Sequence, residues 1–210
     1  MLYHLLTPFK DNFSALNLFE YITFRTAIAA IAALIISFII GPWIIRALRT
    51  RQIGEEIRPT GPETHLQKKG TPTMGGIIIL VAVILPTLLF ADINNSMIRI
   101  ILISTIWMGI IGFIDDYLKV IKKIKRGMIA RYKLAGQVIL GTIISVWIMT
   151  SPEFAEFSTK TTIPFLKNVE IDLGRLYPLM VILVIVGTSN AVNLTDGLDG
   201  LAAGLLAICF

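Results

Sequence analysis

Four aspartates lie in two short segments where carboxylates could do chemistry. Asp115 and Asp116 are adjacent in "GFIDDYLK", and Asp196 and Asp199 lie in "NAVNLTDGLDGLA". Paired carboxylates suit Mg²⁺, which prefers oxygen ligands and keeps waters that substrate phosphates can replace. A positioned carboxylate can instead act as a general base. Adjacent acids at a helix end can also be solvated boundary residues, so the pattern alone leaves all three roles open.

The second segment has a regular spacing of polar residues. Asn190, Asn193, Asp196 and Asp199 recur every three residues, so successive members are neighbours if the segment is helical. Gly197 and Gly200, in the same segment, favour a turn that lets a ligand approach the backbone closely. The pattern predicts a polar binding surface, and the alternative interpretation is a helix cap at a membrane boundary.

A third segment, "KKGTPTMGG" at residues 68–76, combines two lysines with glycines before an apolar run. Backbone amides beside a helix start, together with cations, form a common anion site. The segment lacks the Gly-x4-Gly-Lys-Ser/Thr pattern of a Walker A loop. His65 stands nearby, where a histidine is more often a hydrogen-bonded loop residue than a catalytic one. The segment therefore predicts a phosphate site of another kind.

The composition shows which elements must position these residues. Of the 210 residues, 55% are hydrophobic and 16% are charged, and the mean hydropathy is +0.76. A soluble domain has about 25% charged residues, so the composition indicates a membrane protein. Cys209 is the single cysteine, which excludes an intramolecular disulfide and a cysteine-based zinc site.

Charge-free runs predict the helices. Each of five runs approaches the roughly 20 residues that a helix needs to cross the hydrocarbon core, and a sixth begins at Gly200. The predicted fold is an all-α polytopic membrane helical bundle with five full transmembrane helices and the start of a sixth. Residues 1–210 are expected to form a single integral membrane domain that continues beyond Phe210. The five runs are 26–45, 70–91, 100–114, 134–152 and 176–195.

The basic residues predict the orientation. Most of the 19 lysines and arginines lie between spans one and two or between spans three and four. The positive-inside rule places these loops, about 46–70 and 116–133, in the cytoplasm. The net charge of +5 therefore reflects topology and anionic-lipid contact, and no nucleic-acid partner is expected. The segment at about 151–175 falls outside, where a short hairpin or an amphipathic piece is expected.

This topology predicts that the three chemical segments converge. Spans three and five both end on the cytoplasmic side, and the glycine-rich loop enters span two from the same side. The rival interpretation is an ion-coupled transporter, in which intramembrane carboxylates relay protons. Transporters tend to place such groups near the bilayer midplane, whereas these carboxylates are expected at one interface. A non-catalytic scaffold would leave all three segments without a role.

A family resemblance rests on these same residues. "GPETHLQKKGTPTMGG", "GFIDDYLK" and "NAVNLTDGLDGLA" closely resemble, in order and spacing, the motifs of phospho-N-acetylmuramoyl-pentapeptide transferases (translocase I). The resemblance runs from about Tyr21 to Phe210. Related polyprenyl-phosphate N-acetylhexosamine-1-phosphate transferases, including those specific for N-acetylglucosamine, share the Asp-Asp pair. The segments "GTPTMGG" and "NLTDGLDGL" look like the muramoyl-pentapeptide branch.

The resemblance implies a function. The family transfers phospho-MurNAc-pentapeptide from UDP-MurNAc-pentapeptide to undecaprenyl phosphate, which forms lipid I and UMP for peptidoglycan synthesis. It requires Mg²⁺ and works in the bacterial inner membrane with its active site facing the cytoplasm. Its fold is a bundle of about ten transmembrane helices, whose backbones are satisfied internally in lipid, and it is usually a homodimer.

The resemblance also assigns residues. Asp115 is the expected base or nucleophile and Asp116 its partner; both are candidate Mg²⁺ ligands, although the main ligand is expected beyond residue 210. The family's third aspartate and its histidine-rich loop lie there too, so the 210-residue chain alone is expected to be inactive. The residues expected to line the nucleotide and phosphate region are Lys68, Thr73, Asn190, Asn193, Asp196 and Asp199.

Overall fold

The computed structural model describes the greater part of the chain, in two compact units that span Met1–Ile129 and Ala130–Phe210. The described residues are 14–50, 74–124, 127–156, 158–163, 165–166, 169–196 and 200–209, together with 2, 5 and 7–9. Each unit is built around helices that match the predicted apolar runs.

Among the described residues of the first unit are the long helices α1 (Ile22–Thr50), α2 (Gly76–Phe90) and α3 (Ser96–Val120). Two 3-10 turns, Thr7–Phe9 and Ser14–Glu20, precede them. Helix α2 packs against α1 and α3. The α1–α2 contact is centred on Ile44, Leu48 and Met74, which are buried and are joined by partly buried neighbours such as Ile78.

Local polar contacts define the tight connection between α2 and α3. The Asn95 side chain caps α3 by accepting hydrogen bonds from the backbone N–H groups of Met97, at 2.8 Å, and Ile98, at 3.4 Å. An asparagine at this position satisfies amides that have no partner inside the helix. In the same turn, Asp92 Oδ1 accepts the Asn94 N–H at 3.0 Å. These bonds stabilise the reversal of the chain between two apolar helices.

The second unit contains α4 (Ala130–Thr150), α5 (Tyr177–Thr195) and the short α6 (Leu201–Cys209). Helices α4 and α5 pack against each other. Gly141 allows them to approach closely, because a Cβ atom there would lie 2.9 Å from Ile182 Cγ1 and 3.0 Å from Ile182 Cα. Small residues at such contacts are typical of helix pairs in membranes, where close van der Waals packing drives association.

Between α4 and α5 the chain forms the predicted hairpin. Strands β1 (Lys160–Thr162) and β2 (Glu170–Asp172) are antiparallel, and Thr161 pairs with Ile171. The 3-10 turns Pro152–Phe154 and Gly174–Leu176 flank them. At the end of β2, Asp172 Oδ1 accepts the Gly174 N–H at 2.9 Å. The expectation of a short hairpin in this segment is therefore confirmed.

The predicted fold class, an all-α polytopic membrane bundle, is confirmed. Among the described residues, α1, α3, α4 and the segment Gly174–Thr195 are long and apolar enough to cross a membrane, and α2 is a shorter apolar helix. Large apolar side chains point outward from them: Phe38 is 77% exposed and Trp43 66%. Such exposure suits a hydrocarbon environment, where apolar groups need no burial inside the protein.

Candidate active site

Asp115 and Asp116 lie near the C-terminal end of α3, in the first unit. The Asp115 side chain is 18% exposed. Its two oxygens have different partners. Oδ2 accepts a hydrogen bond from the Lys119 ammonium group at 2.7 Å, and Oδ1 accepts one from the Met128 backbone N–H at 2.8 Å. Because the two contacts approach from different directions, they fix the orientation of the carboxylate plane.

The chain after α3 must turn back for Met128 to reach Asp115. The Ile121 N–H still bonds to the Tyr117 carbonyl, and Lys123 then adopts a left-handed conformation with φ of 53°. Gly127 is left-handed as well, with φ of 62°. Left-handed residues reverse the chain direction at a helix end. The Met128 backbone therefore lies against the last turns of α3.

Sequence reasoning identified the two aspartates but missed how Asp115 is held. The Lys119 contact had a readable signal, because an acid four residues before a lysine is a favourable helical pair. As part of the basic loop, Lys119 was predicted to serve as a topology signal, to contact anionic lipid and to attract a phosphorylated substrate. The Met128 contact joins residues 13 apart through a backbone amide, and no side-chain pattern indicates such a bond.

In the second unit, Asn190 belongs to a buried polar network between α4 and α5. Its Nδ2 donates to Gln137 Oε1 at 2.9 Å and to the Val186 carbonyl at 2.8 Å. Gln137 Nε2 donates to Ser189 Oγ at 2.8 Å. Gln137 is fully buried, at 0% exposure. The sequence analysis did not select Gln137, although a glutamine inside an apolar run is a signal, since polar groups in a membrane need a protein partner.

Asn193 and Asp196, by contrast, are exposed at the end of α5. Asp196 follows the last helical residue, and its N–H bonds to the carbonyls of Val192 and Leu194. Gly200 then adopts φ of 75°, a left-handed conformation that favours glycine. The predicted turn in this segment therefore has a left-handed glycine, and two of the predicted polar residues are accessible to a ligand.

Three predicted site residues lie outside the part of the chain that the structure describes: Lys68, Thr73 and Asp199. His65 does too. Of the other five, Asp115 and Asp116 belong to the first unit, and Asn190, Asn193 and Asp196 belong to the second. Within the first unit the structure joins Asp115 to Lys119 and Met128. Within the second it joins Asn190 to Gln137.

Comparison with known families shows where this arrangement belongs. Residues 98–210, more than half of the chain, match the family model for glycosyl transferase family 4. The chain belongs to glycosyl transferase family 4. Residues 68–80 also match the first signature of phospho-N-acetylmuramoyl-pentapeptide-transferases. The family resemblance read from the sequence motifs is thus confirmed, and Asp115, Asp116 and the second polar segment all fall within the glycosyl transferase family 4 match.

Curated relatives in the family are similar along nearly the whole chain. Proteins of Citrifermentans bemidjiense, Pelobacter propionicus and Desulforapulum autotrophicum are 49%, 50% and 51% identical over 208 residues, which cover 99% of this chain. Each is named phospho-N-acetylmuramoyl-pentapeptide-transferase. The chain spans 57% of the length of each of these relatives.

The donor chemistry of the site suits a hard divalent cation. Asp115 and Asp116 supply carboxylate oxygens, the ligand type that Mg²⁺ prefers, and Mg²⁺ needs few protein ligands because it retains waters. A carboxylate oxygen has two lone-pair sites, so accepting a hydrogen bond does not prevent it from also binding a cation. Within the described residues no cluster of three or more histidines, cysteines or acids is present, so two carboxylates are the extent of the site seen here.

Proposed function

We propose that this protein transfers phospho-MurNAc-pentapeptide from UDP-MurNAc-pentapeptide to undecaprenyl phosphate, forming lipid I and releasing UMP. The observation that carries the proposal is the identity of about half of the residues to proteins named for this transfer, over 99% of the chain. The signature match at residues 68–80 supports the muramoyl-pentapeptide branch of the family.

The geometry of the first unit supports the same chemistry. Asp115 lies near the end of a helix that is long and apolar enough to cross a membrane. The end of such a helix lies at the boundary between lipid and water. A lipid phosphate and a water-soluble nucleotide sugar can both reach that boundary. A carboxylate fixed there by two donors has one defined orientation toward both substrates.

We assign Asp115 the role of base or nucleophile, with Asp116 beside it. In a direct transfer, an Asp115 oxygen takes the proton of the lipid phosphate. That phosphate then bonds to the β-phosphorus of the nucleotide sugar, and the bond from this phosphorus to the UMP oxygen breaks. In a two-step transfer, the Asp115 carboxylate bonds to the β-phosphorus as the bond from this phosphorus to the UMP oxygen breaks. The lipid phosphate then bonds to the same phosphorus and displaces the carboxylate. Lys119 keeps a positive charge beside Asp115 in both cases.

We place the nucleotide and its phosphates at the polar residues of the second and third segments. Asn193 and Asp196 are exposed at the end of α5. The Asn193 amide can donate hydrogen bonds to a ligand and accept them from it, and the Asp196 carboxylate can accept them. Asn190 takes part through the Gln137 network, which fixes the turn of α5 that leads to them. Lys68, Thr73 and Asp199 complete the proposed site by motif match.

We propose Mg²⁺ as the cofactor, held by Asp115 and Asp116 together with a further ligand outside the residues of this chain. When bound, Mg²⁺ neutralises charge on the transferring phosphates, on whose positioning and charge phosphoryl transfer depends heavily. The adjacent carboxylates of α3 supply the oxygen donors this role requires.

We further propose a homodimer in the bacterial inner membrane, with residues 1–210 in one membrane domain. Loops 46–70 and 116–133 would face the cytoplasm and segment 151–175 the outside.

Cysteine labelling tests the orientation in a Cys209→Ser background, because Cys209 is exposed. A cysteine at Lys122 should react with a membrane-impermeant maleimide only in inverted vesicles, and one at Thr161 only in intact cells. Reaction of both from one side would contradict the topology.

The deciding experiment is release of UMP from UDP-MurNAc-pentapeptide in the presence of undecaprenyl phosphate and Mg²⁺. It should use the 210-residue chain and, in parallel, a chimera that continues with the C-terminal remainder of the Citrifermentans bemidjiense relative. Release that requires both the lipid phosphate and Mg²⁺ supports the proposal. A chimera that folds but accepts only UDP-N-acetylglucosamine would assign the protein to the related transferases instead.

A further inference from the structure

We propose that the turn at Gly127 and Met128 is the positioning element for Asp115, and that this turn requires a glycine at residue 127. The catalytic consequence rests on the proposed function. The structural part does not, because it concerns only the conformation of the first unit. Gly127 and Met128 do not touch the reacting atoms; they act through the carboxylate of Asp115.

The Met128 amide provides the rigid half of the Asp115 contacts. Lys119 approaches through a long, flexible side chain that is 45% exposed. Several rotamers of such a side chain keep a similar charge near the carboxylate, so Lys119 attracts Asp115 without defining one angle. A backbone N–H at 2.8 Å has no such freedom. Once its turn is in place, that N–H selects one rotation of the Asp115 side chain.

The turn is itself tied to α3 by backbone hydrogen bonds. The Ile124 N–H donates to the Leu118 carbonyl at 3.0 Å, and the Gly127 N–H donates to the Ile124 carbonyl at 2.8 Å. Ile124 and Gly127 are therefore connected stepwise back to the helix that carries Asp115. The amide of Met128 and the carboxylate of Asp115 consequently belong to one local structure.

Two independent features require a glycine at residue 127. Its φ of 62° lies in the left-handed region, which residues with a Cβ rarely adopt. A Cβ built there would also lie 2.5 Å from Asp115 Oδ1 and 2.6 Å from Lys119 Cε. Both distances are shorter than real contacts; the flexible end of Lys119 can move away, but the Asp115 carboxylate would have to leave its present position. The glycine thus lets the backbone reach the carboxylate.

Hydrogen exchange tests the contact directly on the full chain in lipid nanodiscs. In the wild type, the Met128 amide should exchange slowly. Asp115→Ala removes the acceptor and should make this amide exchange at the rate of an unstructured peptide. Asp116→Ala is the matched control, because it deletes the neighbouring carboxylate and keeps the acceptor. Fast exchange in the wild type, or unchanged protection in Asp115→Ala, would overturn the proposal.

Steady-state kinetics test the positioning role in the active chimera. Gly127→Ala should lower kcat by about 10²-fold, the scale of effect that a displacement of about 1 Å can have, while KM for the nucleotide sugar stays unchanged. Gly112→Ala is the control: this glycine lies within α3, and no atom of the described residues is within 4 Å of its Cβ position. It should keep the wild-type kcat.

The outcomes separate the two proposals. A Gly127→Ala variant with wild-type kcat would overturn the positioning role. If that variant does not fold, the exchange experiment still decides whether the turn holds Asp115, because it uses other variants. A folded wild-type chimera that releases no UMP would contradict the proposed function, and with it the catalytic consequence, while the exchange result would still decide the contact itself.

Discussion

The two units of the molecule hold their central polar side chains in different ways. In the first, Asp115 is charged, lies near a helix end and is held by a lysine and a backbone amide. In the second, Asn190 is neutral, lies between two apolar helices and is held by Gln137 and a backbone carbonyl. Asp115 is held in part by a charged side chain, whereas both of these partners of Asn190 are neutral.

The difference follows from the cost of burying each group. An unpaired charge in an apolar medium costs far more free energy than an unpaired amide. A carboxylate at the end of a membrane helix can stay close to water and still be oriented by donors. An amide inside the helix pair can be satisfied by another amide. We therefore expect substitutions at Asp115 to affect chemistry, and substitutions around Asn190 to affect the stability of the second unit.

The largest expected effect tests the first half of this contrast. Asp115→Asn and Asp116→Asn keep the side-chain shape and remove the charge and the basicity, so kcat for UMP release in the chimera should fall by about 10²–10⁴-fold. The thermal unfolding midpoint should change little. Wild-type kcat in either variant would remove that aspartate from the catalytic role.

Helix packing provides a second comparison between the units. Gly141→Ala should destabilise the second unit by about 1–3 kcal/mol, the usual cost of overpacking, because the added methyl group meets the backbone of Ile182. Gly109→Ala, in the first unit, should cost less, since the atoms nearest to its methyl group belong to the flexible end of Leu80. Thermal unfolding followed by circular dichroism measures both.

Gly187→Ala is the matched control for this pair of variants, because none of the described residues has an atom within 4 Å of the added one. Its midpoint should equal or slightly exceed that of the wild type, since alanine favours a helix. Equal midpoints for Gly141→Ala and Gly187→Ala would show that α4 and α5 do not pack as closely as described.

Substitutions in the network of Gln137, Ser189 and Asn190 should lower the stability of the second unit, whereas those at Asp115 should lower kcat. Gln137→Ala leaves Asn190 and Ser189 without their interhelical partner, so we expect a loss of about 1–2 kcal/mol, near the upper range for hydrogen bonds between membrane helices. Thr142→Ala is the control, because the exposed Thr142 hydroxyl bonds within its own helix to the Val138 carbonyl. A double-mutant cycle with Asn190→Ala should show coupling; additive effects would contradict the network.

The smallest expected effect concerns Asp172, a carboxylate in the second unit that also accepts a hydrogen bond from a backbone amide. The Thr159 hydroxyl, followed by the Gly174 amide, keeps the pKa of Asp172 below its ordinary value. A lowered folded-state pKa stabilises the hairpin above the unfolded pKa, and this contribution is lost as the pH falls through the folded pKa. The protection of the Gly174 amide, measured against its intrinsic exchange rate at the same pH, should therefore decrease below about pH 4.

Asp172→Asn should abolish this pH dependence and leave the exchange rates of α4 unchanged. Asp172 is fully exposed to solvent, so water screens its interactions and the effect should be confined to the hairpin. A pH dependence that survives in the Asn variant would assign the change to another group.

Much of the architecture was readable from local pattern. The charge-free runs predicted helices that the structure places at Ile22–Thr50, Ser96–Val120, Ala130–Thr150 and Tyr177–Thr195. The second run, 70–91, was predicted as one span, and the structure describes its helix from Gly76 to Phe90. A hairpin was expected in the segment before span five, but its register could not be predicted, because the pairing depends on how two short strands meet.

The sequence by itself determined the membrane class, the family and the candidate carboxylates, since these depend on residue types and on spacings along one helix. The pairing of Asp115 with Lys119 belongs to the same group, because four residues are one helical turn. Tertiary structure alone decided that the Met128 amide reaches Asp115 and that Gln137 meets Asn190. Those contacts depend on a left-handed turn and on the relative rotation of two helices, which no local pattern specifies.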